Sequence, residues 1–395
     1  MFDKLKDQFL KEVLAQLDEK GLRRSLRAID GPQESEIVID GQKVINFCSN
    51  NYLGLANDAR LSDAAIVAMR EEGFGAGASR LICGNMTSHR RLEEKLARFK
   101  GSEAALVFST GYMANVGIIS SLFGRDDIIF SDKFNHASII DGILLSQAQF
   151  KRYPHNDMNV LEAMLTEAGG FQKRCIVTDS VFSMDGDLAP LQKIVDLARR
   201  YDCLVMVDEA HAFGVMGKSG KGLVEYLGLE KEIDIQMGTF SKAAGSFGAY
   251  CCGSRELIDF LINKARSFIY TTGMPPALAG ASIKAIEIIE TDHARRQKLW
   301  ENTHYLKERI DALGFETLNS VTPIIPIVIG DAQVAVDFSK RLLAEGILVS
   351  AIRPPTVPMN TARLRVTVMA NHTTEQLDYL LQTLAKIGRG PCLIS

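Results

Sequence analysis

Apolar positions recur at helical spacing from the first residues: Phe2, Leu5, Phe9, Val13, Leu14 and Leu17 predict an amphipathic helix over 2–20, with Gly21 as its stop. Residues 36–41 and 43–47 are strand-like runs around Asp40-Gly41, the strongest short turn signal, and read as a hairpin. Between about 88 and 253 the hydrophobic period switches repeatedly between helix and strand. Helices are expected at 88–100, from 109–115 onward, at 136–147 and at 190–200. Strands are expected at 104–108, 127–130, 175–179, 204–208, 233–237 and 248–252. Such alternation implies a mostly parallel sheet covered by helices on both faces. Beyond 255 the pattern is helical, breaks at 271–276, and resumes from 277 to about 313, where Gly314 is the stop. Strand patterns at 324–329, 347–349 and 363–368, and a final helix opening at His372-Thr373-Thr374-Glu375 and running to about 387, predict a smaller α+β unit. The chain divides into an N-terminal helix and hairpin (1–50), a large α/β domain (51–290) and a small C-terminal domain (291–395).

A length of 395 residues accommodates two or three cores, in keeping with that division. Lysines and arginines are spread along the chain and the net charge is only -3, so neither nucleic acid nor an anionic membrane is an expected partner. Seven cysteines without a C-x-x-C pair read as buried reduced thiols, not as a zinc site or a disulfide framework. The charged amphipathic N-terminus does not read as a signal peptide, and no apolar run is long enough to span a bilayer. The cytoplasm is the expected location.

In open parallel sheets, ligands bind beyond the carboxyl ends of the strands. Three chemistry-bearing segments fall there: Gly111-Tyr112, Asp208 with His211, and Lys242. Lys242 lies in the glycine-rich stretch 238–248, preceded by apolar Ile233, Ile235 and Met237. Burying an ammonium is costly, so a lysine there is expected to lose its proton readily and to form Schiff bases with carbonyls. The alternative is a surface turn with a solvated lysine. Thr239 and Ser241 are able to hydrogen-bond a phosphate. Ser109-Thr110-Gly111-Tyr112 opens a helix whose free N–H groups and positive end suit the same group. Asp208 either bonds a cofactor's protonated ring nitrogen or caps the next helix. A metal site built from Asp208, His211 and an unmarked third ligand is a further alternative. His136, in Asn135-His136-Ala137-Ser138, either stacks on an aromatic ring or starts a helix. Ser183 follows the 175–179 strand as a sheet-edge ligand or a turn residue.

Arg353, set beside Pro354, Pro355 and Pro358, is either pre-placed for bidentate carboxylate binding or simply exposed. Arg23 of the Arg23-Arg24 pair is either a solvated corner or an anion contact. The polar pair Asn50-Asn51 ahead of Tyr52 suits capping of the next helix. Two nucleotide motifs are excluded. The glycine-rich 73–80 stretch lacks both the G-x-G-x-x-G spacing and a preceding strand, and Gly217-Lys218-Ser219 has Ala212 where a P-loop needs glycine.

Taken together, six segments resemble the motif set of the α-oxoamine synthases, pyridoxal-phosphate enzymes of the aspartate-aminotransferase-like fold type I. They are Asn51-Tyr52-Leu53-Gly54-Leu55, Asn135-His136-Ala137-Ser138, Ser183-Met184-Asp185-Gly186, Val207-Asp208-Glu209-Ala210-His211, Thr239-Phe240-Ser241-Lys242 and Arg363-Leu364-Arg365. The resemblance runs from about Leu22 to the last helix. It implies a large, mostly parallel seven-stranded sheet domain with a smaller α+β domain, and a decarboxylating condensation of an amino acid with an acyl thioester. It implies that Lys242 carries the cofactor's Schiff base and moves the Cα proton. Asp208 then faces the pyridine nitrogen, His211 the phenolic oxygen, and His136 stacks on the ring. Gly111, Tyr112, Ser183 and Thr239 hold the cofactor, with Thr271 or Thr272 reaching a phosphate across a homodimer interface. Arg353 takes the amino-acid carboxylate, Arg23, Asn51 and Thr356 meet substrate, and no metal is involved. Within the family, residues 269–276, 352–358 and 362–365 point to L-alanine with a pimeloyl thioester, on CoA or a carrier protein, as in biotin synthesis. Ser79-Arg80-Leu81-Ile82-Cys83-Gly84 points instead to glycine with acetyl-CoA, and Met359-Asn360-Thr361 also departs from the first pattern. A non-catalytic binding protein on the same fold would be expected to lack Lys242 or Asp208, and both are present.

Overall fold

A computed structural model describes residues 2–19, 22–24 and 26–388. The first helix, Phe2–Glu19, follows the expected period, and its expected stop at Gly21 lies outside the described residues, as does Cys392. The centre of the molecule is a seven-stranded sheet. In spatial order its strands are Ala104–Phe108, Ala249–Gly253, Ile235–Thr239, Leu204–Asp208, Arg174–Asp179, Ile128–Asp132 and Gln149–Tyr153. Only Ala249–Gly253 runs antiparallel to its neighbours. Strands Ala104–Phe108, Ile128–Asp132 and Ile235–Thr239 are buried at every position, which is why they read as continuous runs and not as alternation. Successive side chains enter opposite cores. Val107, Phe130, Ile176, Val205 and Val207 pack on one face, while Leu106, Ile129, Val177, Met206 and Met237 pack on the other.

Several elements differ from expectation. The strand expected at 233–237 begins at Ile235, because Asp234 instead accepts the Val205 N–H of the neighbouring strand at 2.8 Å. Edge strand Gln149–Tyr153 and helix Met158–Thr166 were not expected, and the helix expected after Asn50-Asn51 begins only at Ala59, running to Glu72. The strand carries Lys151 and Arg152, since an edge tolerates charge that an interior strand cannot. Cys175, Cys251 and Cys252 are buried as expected, but Cys83 is exposed in the turn after Ser79.

The single strand expected at 347–349 is two. Ile347–Leu348 pairs parallel with Gln42–Asn46 and so joins the N-terminal hairpin. Ser350–Ile352 pairs antiparallel with Ala362–Thr367, which also pairs with Ile324–Gly330. This three-stranded sheet grips the loop carrying Ser183. Arg363 forms a buried ion pair with Asp185, Arg365 Nε donates to Ser183 O at 2.6 Å, and Thr322 Oγ1 donates to Gly186 O at 2.9 Å. Gly186 has φ 71° and a Cβ there would lie 2.1 Å from Ile324 O, so only glycine fits this junction.

Candidate active site

The carboxyl ends of the central strands open into one cavity, lined among others by Gly111, Tyr112, His136, Ser183, Asp208, His211, Thr239 and Lys242. Strand Ile235–Thr239 ends at Thr239, and the turn that follows turns Lys242 back over the sheet. Burial lowers the Lys242 pKa, and the charge of Arg365 acts in the same sense; the carboxylates of Asp208 and Asp179 oppose the shift without reversing it. The amine is therefore biased towards its nucleophilic, uncharged form.

Asp208 is 5 % exposed and ends its strand. Its Oδ1 accepts the Ala210 N–H at 2.9 Å and its Oδ2 accepts Asn115 Nδ2 at 2.8 Å. Each oxygen keeps a lone pair for a cationic ring nitrogen. His211 shares a hydrogen bond of 2.7 Å between Nδ1 and the Tyr52 hydroxyl, so its Nε2 is free to turn towards a ligand. Burial holds His211 well below the ordinary imidazole range, reinforced by the positive charges of Lys242 and Arg365. It is a neutral imidazole. His136 caps helix Ala137–Ser146 and leaves its ring exposed towards the cavity.

The donor set fits pyridoxal phosphate. Thr239 Oγ1 is buried without a partner, an orphaned donor that a phosphate oxygen would satisfy. Beside it begins helix Gly111–Leu122, whose cap Thr110 takes only the Met113 N–H at 3.1 Å and leaves the first amides for an anion. A Cβ on Gly111 would lie 2.8 Å from Thr239 Cγ2, so glycine keeps the cradle open. Among the described residues, no group of three or more His, Cys, Asp or Glu is placed to hold a metal ion.

Other expected residues lie elsewhere. Arg353 Nη2 approaches Arg23 O at 3.5 Å, and the Arg23 side chain pairs with Asp18 at 2.6 Å. Thr356 is exposed, with its N–H on Arg353 O at 3.1 Å. Asn51 is buried, and its Oδ1 accepts the Ala56 N–H at 3.1 Å in the turn before helix Ala59–Glu72, which Asp58 caps instead. Thr271 and Thr272 border a separate crevice with Arg80 and Phe108, and Thr272 bridges Ser79.

Sequence reasoning assigned no role to two residues, Asp179 in the cavity and Arg365 beside it. Asp179 is 6 % exposed and is the register partner of Asp208 on the adjacent parallel strand, so the strand-end rule that selected one carboxylate selects the other. Burial raises the Asp179 pKa well above the usual carboxylate range, and the charge of Asp208 adds to it; the His136 N–H bond pulls the other way. Arg365, 7 % exposed, bonds only Ser183 O and Asn50 Oδ1, with no carboxylate within salt-bridge range among the described residues. It is a buried cation beside the site with no counter-charge of its own. The alternation in Arg363-Leu364-Arg365, which puts both arginines on one strand face, was the available signal.

Comparison with known proteins agrees with this geometry. Residues 42–384 match the family described as aminotransferase class I and II. The chain is 51% identical over 378 residues to an 8-amino-7-oxononanoate synthase of Geobacter sulfurreducens, covering 95% of this chain and 97% of the relative. It is 50% identical over 382 residues to one from Symbiobacterium thermophilum, covering 96% and 97%. Among solved structures, a serine palmitoyltransferase from S. paucimobilis with a bound PLP–myriocin aldimine superposes with a TM-score of 0.92 at 32% identity, covering 97% of this chain and 98% of that one. An 8-amino-7-oxononanoate synthase from Francisella tularensis superposes with a TM-score of 0.77 at 32% identity, covering 87% and 97%. The chain belongs to the class I and II aminotransferase family, within its α-oxoamine synthase branch and alongside the 8-amino-7-oxononanoate synthases.

Proposed function

We propose that the protein condenses L-alanine with a pimeloyl thioester to give 8-amino-7-oxononanoate, CO2 and the free thiol carrier, a step of biotin biosynthesis, with pyridoxal phosphate as cofactor. The carrying observation is a half-buried Lys242, its pKa lowered by its surroundings, sharing one cavity with Asp208 and His136 in a chain 51% identical over most of its length to a named synthase. In the reaction the Cα–H bond of alanine is replaced by a bond to the acyl carbon. The thioester C–S bond breaks and the thiol leaves with a proton. The carboxylate departs as CO2, and the same carbon is reprotonated.

When bound, pyridoxal phosphate supplies an aldehyde that condenses with amines and a protonated ring that takes up the electron pair left at Cα. Thr239 Oγ1, Ser183 and the first amides of the 111–122 helix hold its phosphate end. Asp208 would keep the ring nitrogen protonated, His136 would pack on the ring, and neutral His211, oriented by Tyr52, would donate to the phenolic oxygen. Lys242 Nζ takes the proton from Cα and returns it after decarboxylation. Arg365, together with Arg353, supplies the guanidinium for the amino-acid carboxylate; Arg23, Asn51 and Thr356 contact substrate as the small domain closes. Thr271 or Thr272 completes the phosphate site of a second copy in a cytoplasmic homodimer, in keeping with their position outside their own chain's cavity.

The test is a visible spectrum of the purified protein with and without L-alanine, followed by turnover of alanine with pimeloyl-CoA against glycine with acetyl-CoA. Lys242→Ala should abolish both the Schiff-base absorbance and turnover. Retained turnover in that variant, or a preference for glycine with acetyl-CoA, overturns the assignment.

A further inference from the structure

Helices Gly111–Leu122 and Ala137–Ser146 pack against each other at the edge of the cavity, and Asn115 stands between them, 1 % exposed. Its amide nitrogen donates one hydrogen to Asp208 Oδ2 at 2.8 Å and the other to Ser138 Oγ at 2.9 Å. Turned end for end, the amide would set its oxygen against the Asp208 carboxylate, so its orientation is fixed by charge. Ser138 Oγ accepts from Asn115 and keeps its own hydrogen for His136 Nδ1, 2.7 Å away. The Ser138 N–H reaches the same ring nitrogen at 3.2 Å. A nitrogen that accepts both bonds carries no proton, so the ring proton lies on Nε2.

Asn115 Oδ1 is left buried without a partner. An apolar residue of similar size would carry no such penalty, so the value of the amide lies in its two donations. The charged groups around His136 are Asp208, Lys242 and Asp141, with Asp179 Oδ2 holding its backbone N–H at 2.8 Å.

We propose that Asn115 and Ser138 are positioning residues that tie His136 to Asp208 and hold its imidazole as the neutral Nε2–H tautomer facing the cofactor ring. What the histidine covers rests on the cofactor reading; the tautomer does not. The relay makes the acid under the ring nitrogen and the imidazole over the ring one hydrogen-bonded unit. A disturbance at either end is then felt at the other.

The experiment is imidazole-nitrogen NMR on the pyridoxal-phosphate-loaded wild type, Ser138→Ala and Ser138→Thr, with the His136 signals assigned by their loss in His136→Gln. Cofactor affinity and the pH profile of the bound cofactor's absorbance are measured on the same samples. The wild type should carry its proton on Nε2. Ser138→Ala should let the proton exchange between the two nitrogens and weaken cofactor binding about tenfold, the scale of one buried hydrogen bond. Ser138→Thr, which keeps the hydroxyl, should keep the wild-type pattern. A proton on Nδ1 in the wild type overturns the proposal, as does a Ser138→Ala protein indistinguishable in tautomer and cofactor affinity. Failure of the wild type to take up pyridoxal phosphate would sink the parent reading, and the tautomer measured in the free protein would still decide the relay. The wild-type tautomer is decisive even if Ser138→Ala does not fold.

Discussion

Replacing Lys100 by methionine should unlock the loop that follows Asp208. The Lys100 side chain is 1% exposed and that of Glu209 is 0% exposed. Lys100 Nζ donates to Glu209 Oε2 at 2.5 Å and to Lys221 O at 2.6 Å, while Glu209 Oε1 accepts the Val224 N–H at 3.0 Å. Gly222 has φ 130° and a Cβ there would lie 2.3 Å from Glu209 Oε2, so the loop is folded tightly round this carboxylate. Methionine keeps most of the apolar stem and removes the charge. Glu209 is then a buried carboxylate with the Val224 amide as its remaining donor. Removing one member of a buried ion pair costs about 3–5 kcal/mol, and the stranded Lys221 carbonyl adds about 1 kcal/mol. A loss of about 5 kcal/mol is expected for Lys100→Met, and about 4 kcal/mol for Glu209→Leu, which strands the ammonium instead. The double variant removes both charges together and should be more stable than the sum of the single losses by about 2 kcal/mol or more. Urea denaturation followed by far-UV circular dichroism measures all three. A loss under about 1 kcal/mol for Lys100→Met, or strict additivity in the double variant, would refute the reasoning.

Three further outcomes follow from named contacts. His155 lies 3.0 Å from Asp132 and 2.7 Å from Asp187; burial opposes its charge, but the two carboxylates outweigh burial and lift its pKa to about 9. Because the folded value lies above the unfolded one of about 6.5, its stabilisation is complete below about pH 6.5 and is lost as pH rises through about 9. After allowance for partial solvent access, His155→Gln should cost about 2 kcal/mol near pH 6 and far less near pH 10, and an equal cost at both would contradict this reading. Gly111→Ala should lower the denaturation midpoint modestly and weaken pyridoxal-phosphate affinity at least about tenfold, because the new methyl, 2.8 Å from Thr239 Cγ2, forces the cradle to shift. Equilibrium dialysis reads the effect, and unchanged affinity would place the phosphate elsewhere. Arg365→Met should raise the KM for the amino acid by about a hundredfold or more with a smaller effect on the acyl donor; if Arg353→Met alone does this, the buried arginine is not the carboxylate ligand.

What the sequence made legible, and what it hid, divide along physical lines. Interior strands such as Arg174–Asp179 and Leu204–Asp208 were readable because burial on both faces favours an unbroken apolar run. The edge strand Gln149–Tyr153 has a half-open environment, and its charged residues look like a loop. The same contrast holds in the cavity. Lys242, Asp208 and Gly111 stand at strand or helix ends, where local sequence alone fixes their exposure to a ligand. Asn115 acquires its meaning only when two helices pack, bringing it against Ser138, 23 residues away, and Asp208, 93 residues away. Asp179 was hidden differently: its position follows from register, but its charge state follows from a shared, buried neighbourhood with Asp208. Lys242 completes the case. Its place was readable, yet its low proton affinity arises from burial working with Arg365, contributed by a strand of another sheet, against two carboxylates of its own. Moving Arg365 away would therefore change the lysine's reactivity without touching the lysine, and no reading of the 238–248 stretch by itself contains that dependence.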